Sequence, residues 1–441
     1  MKVKNMKKIV FSDFGAKLTG NSGILQLMDD LGQPLPENMP SYQLGGGNPA
    51  RIAQLDSMYR AEMEKIMADG DSFGDLIGRY DAPAGRVSFC HDVAEYLSNK
   101  YGWDIDAENI AVTNGSQTAM FYLFNLFAGT STVNGKKVKR TVVFPLVPEY
   151  IGYADQGIEP DMFVGIPAGF QRYEDNTFKY QVNFPLLEKY LAEHDNVGAL
   201  CVTRPTNPTG NVLTDDEIRR LSNLALKYDI PLIVDNAYGL PWPDIIFTDN
   251  AEPFFGPNVI LSMSLSKIGL PSMRTGIIIA PKEIAKAVGN INAIAALTTA
   301  SAGQRLASNL IKSGTLVEYA RKFVRPFYEK KSIQTQAFIH KYFSGTDYAV
   351  HKSEGAIFLW LLLPQLSITT RQMYHELKKR GVIVVPGEYF FFGNATDGSL
   401  PKVEDHPHYT KCLRINYSRP ENEVEEGIKI IAEVYRQFRT E

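Results

Sequence analysis

Between Asn109 and Pro281 the chain alternates short apolar runs with helix-like segments, and this alternation limits the fold more than any other feature of its 441 residues. The runs occupy 110–112, 141–145, 162–167, 198–203, 231–234, 259–262 and 275–280. Among the stretches between them, 214–228 is amphipathic and opens on the N-cap signature Thr214, Asp215, Asp216, Glu217. Strand–helix alternation over this length predicts an α/β fold, with a large domain whose mostly parallel sheet is covered by helices. After a long helical region at about 304–341 the pattern changes. Strands expected at 356–363, 381–385 and 412–417 surround a helix near 370–380, and a last amphipathic helix runs over about 421–438. That reads as a smaller α+β domain, so the expected division is 51–303 for the large domain and 304–441 for the long helix and small domain.

Charge and patterning exclude several classes of function. A formal net charge of −3 gives no electrostatic case for nucleic acid or an anionic membrane surface. The longest apolar run, 356–363, is too short to span a bilayer, and no apolar stretch follows the basic opening MKVKNMKK, so no secretory signal is expected. Cys90, Cys201 and Cys412 lack metal or redox spacing, which points to reduced thiols and a cytoplasmic setting. Residues 129–137 resemble a phosphate-binding loop only loosely, since Lys137 stands where Ser or Thr is required, and a surface turn is expected there. Gly45–Gly47 lacks the dinucleotide-binding spacing. His406 and His408 lie in an acidic, Pro-bearing loop and are expected to be solvated, with no metal site.

The chemistry gathers at strand ends. In open sheets of this kind the ligand crevice lies outside the carboxyl ends of the strands. Four polar or glycine-bearing tips follow the runs: 113–117, 204–210, 235–238 and 264–267. Lys267 follows a strand, flanked by Ser264 and Ser266 with Arg274 downstream. A lone lysine is ordinarily a surface charge, but this grouping would collect a phosphate and lower the amine's pKa. Asp235 closes the run 231–234, as a helix cap or as a carboxylate facing a protonated ring nitrogen, with Tyr238 three residues on. Asn207 opens an Asn-Pro-Thr-Gly segment that is either a plain turn or a donor at the site. Ser116 and Gln117 begin a helix after a strand, the arrangement that offers N–H groups to an anion. Tyr150 is either core or a ring platform. Arg414 is a charge inside an otherwise apolar strand, and a buried arginine needs an anion.

Taken in order, Asn207-Pro-Thr-Gly210, Asp235-Asn-Ala-Tyr238, Ser264-Leu-Ser-Lys267, Arg274-Thr-Gly276 and the late-strand Arg414 resemble the class I/II aminotransferases, the fold-type-I pyridoxal enzymes. The resemblance runs from Gly45 to Arg414; the stretch between Lys267 and Arg274 is one residue shorter than is frequent in the family. It implies pyridoxal 5′-phosphate (PLP) bound covalently at Lys267, with phosphate contacts from Ser116, Gln117, Ser264 and Arg274. It further implies Asp235 at the ring nitrogen, Asn207 and Tyr238 at the phenolate oxygen, and Tyr150 against the ring. Gly47, Asn207 and Arg414 would face the substrate carboxylate. Tyr80 resembles the residue that reaches the phosphate in a neighbouring subunit, implying a homodimer with shared sites, and residues 1–50 would form an arm joining the small domain. Segments 144–155 and 203–214 resemble members that move an amino group between valine or alanine and 2-oxo acids such as pyruvate and 2-oxoisovalerate. Another reaction on the same scaffold (a lyase, racemase or decarboxylase) and a non-catalytic regulator are the alternatives. The purified protein is therefore expected to absorb near ~400 nm, and borohydride should fix the cofactor to Lys267. Lys267→Ala should abolish transamination while leaving the far-ultraviolet circular dichroism unchanged.

Overall fold

The computed structural model describes residues 9–20, 22–32, 40–249 and 251–440, so the basic opening lies outside the described residues. The main sheet has eight strands. Their order is Ile110–Thr113, Gly276–Ile279, Val259–Ser264, Leu232–Asp235, Val197–Thr203, Lys136–Val147 and Gly129–Val133, with Phe163–Pro167 also pairing with Lys136–Val147. The central pairs are parallel, and antiparallel partners close the two ends of this order. Val197–Thr203, Leu232–Asp235 and Val259–Ser264 are buried at every position, as parallel strands covered on both faces must be. The helix Asp215–Lys227 begins where the sequence places it. Thr214 Oγ1 accepts the Glu217 N–H at 3.2 Å, and Glu217 Oε2 accepts the Thr214 N–H at 2.8 Å.

A second sheet of six strands runs Val385–Pro386, Cys412–Asn416, Phe358–Leu362, Ala349–His351, Thr177–Gln181 and Gly169–Arg172. Two of these strands come from the middle of the chain. Thr177–Gln181 turns Phe178 and Tyr180 inward on alternate positions, and Gly169–Arg172 is a mostly exposed edge too polar to read as a strand from sequence. Tyr42–Gln43 pairs in parallel with Val382–Ile383 beside this sheet, and the Asn416 N–H donates to Leu44 O at 2.8 Å.

Three readings change. The single helical stretch expected at 304–341 is broken: Ser301–Lys312 ends before Gly314, whose φ of +75° suits glycine, and Thr315–Tyr319 and Arg325–Phe343 follow on either side of a π-helical turn. The surface turn expected at 129–137 is a β-hairpin turning at Asn134 and Gly135, both at positive φ. His406 and His408 are buried rather than solvated. His408 Nδ1 pairs with the Tyr180 hydroxyl at 2.7 Å, and both rings pack against Phe170. Apolar neighbours on the far sheet, invisible in the local composition, are the reason. The three thiols are free and buried, and no helix among the described residues is long and apolar enough to cross a membrane.

One glycine fixes how the sheet meets its first long helix. A Cβ on Gly276 would lie 2.6 Å from Gly115 C and 2.7 Å from Ser116 N, backbone atoms that cannot step aside. Gly276→Ala should therefore destabilise the fold by about 1–3 kcal/mol in urea denaturation, from overpacking at the strand–helix junction.

Candidate active site

The carboxyl ends of the central strands and the second sheet enclose a cavity of about 530 Å³. It is lined by Gly47, Ser116, Gln117, Tyr150, Asn207, Asp235, Tyr238, Ser264, Lys267, Arg274 and Arg414. Every site residue expected from sequence is thus brought together except Tyr80, which stands apart from this cavity and is 80% exposed.

Three carbonyls of one glycine run tie the two sheets across the cavity. Arg414 Nη2 donates to Gly45 O at 2.6 Å, Asn416 Nδ2 donates to Gly46 O, and Lys267 Nζ donates to Gly47 O at 2.5 Å. Arg414 is 2% exposed; its Nη1 donates to Asn207 Oδ1 at 2.8 Å, and Phe358 and Phe390 lie 4.2 and 5.2 Å from its guanidinium. No carboxylate among the described residues pairs with it, and its Nε is a buried donor without a partner. Burial, little offset by Tyr238 and Tyr150, pulls its pKa down to about 10.

At the other end, Gly115 at φ +89° leads into the helix Ser116–Phe127. A Cβ on Gly115 would lie 2.2 Å from Arg274 Nη2, so glycine alone lets that guanidinium reach the helix N-terminus, where it donates to Asn114 O at 3.3 Å. The serine Ser264 accepts the Ser266 N–H at 3.0 Å, and Ser116 Oγ donates to Met263 O at 3.2 Å. A helix N-terminus, two hydroxyls and an arginine are the groups that could cradle a phosphate.

Between these ends lie Lys267 and Asp235. Burial first, then the charges of Arg414 and Arg274, push the Lys267 amine down to about 8. Burial raises the Asp235 carboxyl to about 6, against hydrogen bonds from Tyr153 and the Ala237 N–H and the Lys267 charge. Lys267 Nζ lies 5.5 Å from the centroid of the Tyr238 ring. A lysine beside a phosphate cradle, a buried carboxylate and a flat, aromatic-walled space fit PLP, and the unpaired Arg414 leaves room for one further carboxylate.

Sequence reasoning missed several groups that line the cavity or brace its lining residues. Tyr153 sits in the 144–155 segment, but nothing in its spacing links it to Asp235. Glu149 is 1% exposed and accepts hydrogen bonds from Thr203 Oγ1 at 2.5 Å, the Thr203 N–H at 3.1 Å and the Tyr150 N–H at 2.9 Å. Ile24, Leu27 and Met28 project from the helix Gly23–Gly32 at the i, i+3, i+4 spacing that marks one helical face. That helix is anchored through Asp30, which accepts from the Tyr374 hydroxyl at 2.6 Å and from Lys378 Nζ at 2.5 Å.

Glu149 gives a pH signature. Burial raises its pKa from 4.5 to about 8, the three hydrogen bonds opposing. A carboxyl raised on folding contributes stability that is present below its unfolded pKa and lost as pH rises through its folded one. The contribution of Glu149 to the thermal midpoint of the cofactor-free protein should therefore decline between pH 4.5 and 8. It is read as the difference between wild type and Glu149→Gln, because the buried His351 and His408, lowered to about 3, contribute in the opposite sense below pH 6.5. Glu149→Gln should remove that decline, leaving the contributions of Asp235 and Asp244, each raised from 3.8 to about 6. An unchanged slope would show that Glu149 is hydrated in solution.

Comparison with known proteins agrees with this chemistry. Residues 160–431 match the family of class I and II aminotransferases. The chain is 44% identical over 425 residues to the valine–pyruvate aminotransferase of Escherichia coli strain K12, covering 96% of this chain and 98% of that one. A crystal structure of the valine–pyruvate aminotransferase of Salmonella typhimurium LT2 superposes with a TM-score of 0.83 at 42% identity, over 94% of this chain and 99% of that one. A solved structure from Psychrobacter arcticum 273-4 superposes with a TM-score of 0.92 at 40% identity, over 98% and 99%. The chain belongs to the class I and II aminotransferases, with their fold-type-I architecture.

Proposed function

We propose that this PLP-dependent aminotransferase moves an amino group between a small neutral amino acid, valine or alanine, and a 2-oxo acid, pyruvate or 2-oxoisovalerate. The observation that carries the reading is Arg414, a buried cation without a carboxylate partner among the described residues, facing the same cavity as Lys267. When bound, PLP supplies a carbonyl that accepts the amino group and a ring that takes up the electron pair left by the departing α-proton.

The chain's own residues do the rest. Lys267 holds the cofactor and, with its pKa near 8, moves a proton to and from the substrate α-carbon at neutral pH. Asp235 holds a proton on the ring nitrogen, and Asn207 and Tyr238 hydrogen-bond the phenolate oxygen. Ser116, Gln117, Ser264 and Arg274 bind the phosphate, while Tyr150 covers the ring. Arg414, with Asn207 and the Gly47 backbone, orients the substrate carboxylate, and the apolar Ile24, Leu27 and Met28 exclude water from its side chain.

The same lining supports a neutral side chain. Among the described residues its cations are Lys267, Arg274 and Arg414, which leaves none free for a second substrate carboxylate. The relatives named for valine and pyruvate point the same way.

We also propose a homodimer in which Tyr80 reaches the neighbouring subunit's phosphate. Ile77, Tyr80, Val87, Ile294 and Leu297 are exposed apolar side chains on two segments joined by the bond from Asn292 Nδ2 to Pro83 O at 2.9 Å. Within each chain, residues 51–303 would form the large domain except for the strands Gly169–Arg172 and Thr177–Gln181, which join the second sheet, with 304–441 the long helices and small domain and 1–50 an arm joining the latter.

With pyruvate as acceptor, valine, 2-aminobutyrate and alanine should react with graded kcat/KM, about 1–3 kcal/mol per methylene, and aspartate and glutamate far more slowly. Arg414→Ala should lose roughly 2–5 kcal/mol in kcat/KM. A preference for aspartate or glutamate would overturn the substrate reading while leaving the aminotransferase chemistry standing.

A further inference from the structure

Tyr153 lies outside the motifs, yet its hydroxyl meets the carboxylate at the centre of the site. It donates to Asp235 Oδ2, while the Ala237 N–H donates to Oδ1 at 3.1 Å. Tyr153 is 1% exposed, and three rings confine it: Phe144 lies nearly parallel at 5.9 Å, while Phe124 and Tyr150 meet it edge-on at 5.1 Å. A ring packed in this way keeps one orientation, so the direction of its hydroxyl is set by the core. Tyr150 and Tyr153 bound a single 3₁₀ turn, a geometry in which residues three apart eclipse. One turn thus sends both side chains to the same cavity.

We infer that Tyr153 is a positioning residue of the transamination site: its hydroxyl keeps Asp235 anionic and aimed at the cofactor's ring nitrogen, and its ring backs Tyr150. This rests on the PLP reading above and adds a residue to it. A buried carboxylate without donors takes up a proton instead of remaining charged, and each donor shifts that balance toward the anion. Asp235 has two such donors, Tyr153 and the Ala237 N–H, and the Lys267 charge acts in the same direction. The other ionisable groups that face it are Glu149, Tyr150, Cys201 and Tyr238, each with a pKa raised by burial and so largely uncharged near neutrality. Without the Tyr153 hydroxyl, Asp235 keeps only a backbone donor. A more basic carboxylate then competes for the ring proton.

The test is Tyr153→Phe in the cofactor-loaded enzyme, which keeps the ring and its packing. Phe124→Leu is the control, because it loosens the same aromatic cluster but leaves the hydroxyl. A ring that carries less positive charge binds the proton of its link to Lys267 more tightly. The midpoint of the visible-band pH titration should therefore move up by about half a unit or more in Tyr153→Phe and stay in place in Phe124→Leu. Turnover in Tyr153→Phe should fall roughly tenfold or more, with KM for the amino donor within about twofold of wild type. The cofactor-free thermal midpoint of Tyr153→Phe should drop below wild type by more at pH 8 than at pH 5, because the buried Asp235 anion has lost a donor. Equal titration midpoints in wild type and Tyr153→Phe, or equal shifts in both variants, would overturn the inference. A wild-type protein that takes up no PLP would instead sink the underlying reading, and the inference with it.

Discussion

Burying ionised groups together at the carboxyl edge of a parallel sheet is the constraint on which the rest of this structure depends. Asp235 stands in register with Thr203 on one neighbouring strand and Ser262 on the other, so the sheet itself sets where the carboxylate sits. Removal from water is costly for each charge, and the cost appears with the sign expected for each: Asp235 is raised, while Lys267 and Arg414 are lowered. Three basic side chains against one carboxyl leave the cavity lining biased toward anions. Under the proposed function a cofactor phosphate and a substrate carboxylate would relieve that bias from opposite ends.

The cavity exists only because two sheets are held to each other across it. Gly45, Gly46 and Gly47 do this with successive carbonyls that accept from Arg414, Asn416 and Lys267. Side chains there would crowd the contact: a Cβ on Gly45 would approach Ile383 to 3.2 Å. A segment that matches no phosphate-binding pattern is therefore a junction of hydrogen bonds between the large sheet, the small sheet and Lys267. Its strength depends on how well each cation is otherwise satisfied, which couples substrate and cofactor positions through one stretch of backbone.

Most of the large sheet could be read from the sequence because parallel strands are apolar throughout, and the strand tips are marked by residues whose chemistry is unusual in a turn. Lys267, Asp235 and Arg414 are conspicuous for that reason. The second sheet was only partly legible, since Gly169–Arg172 is an exposed edge and Thr177–Gln181 carries its signal in two positions, Phe178 and Tyr180. His406 and His408 read as loop residues because burial there comes from Tyr180, more than 200 residues away in sequence. Tyr153 and Glu149 were hidden differently. Their neighbours are strand ends that meet only after folding, and a tyrosine or a glutamate next to a turn carries no mark of what it will face. Ile24, Leu27 and Met28 have helical spacing, but spacing alone does not distinguish a face against the core from one over a ligand.

Arg414 shows why a site of this kind recognises a carboxylate better than ion pairing alone would allow. Its guanidinium is gripped by Asn207, by the Gly45 carbonyl and between two phenyl rings, so its direction is set before any ligand arrives. Its Nε nevertheless has no partner. Burying a cation is costly, and an incoming carboxylate would offset part of the desolvation cost incurred in folding. Preorganisation spares the side-chain entropy that a flexible cation would lose on binding. Lysine could not replace it, because a single ammonium cannot hold Asn207, Gly45 and a carboxylate in one plane. The fold therefore bears the cost of burying this arginine, and under the proposed function a substrate carboxylate would complete its set of partners.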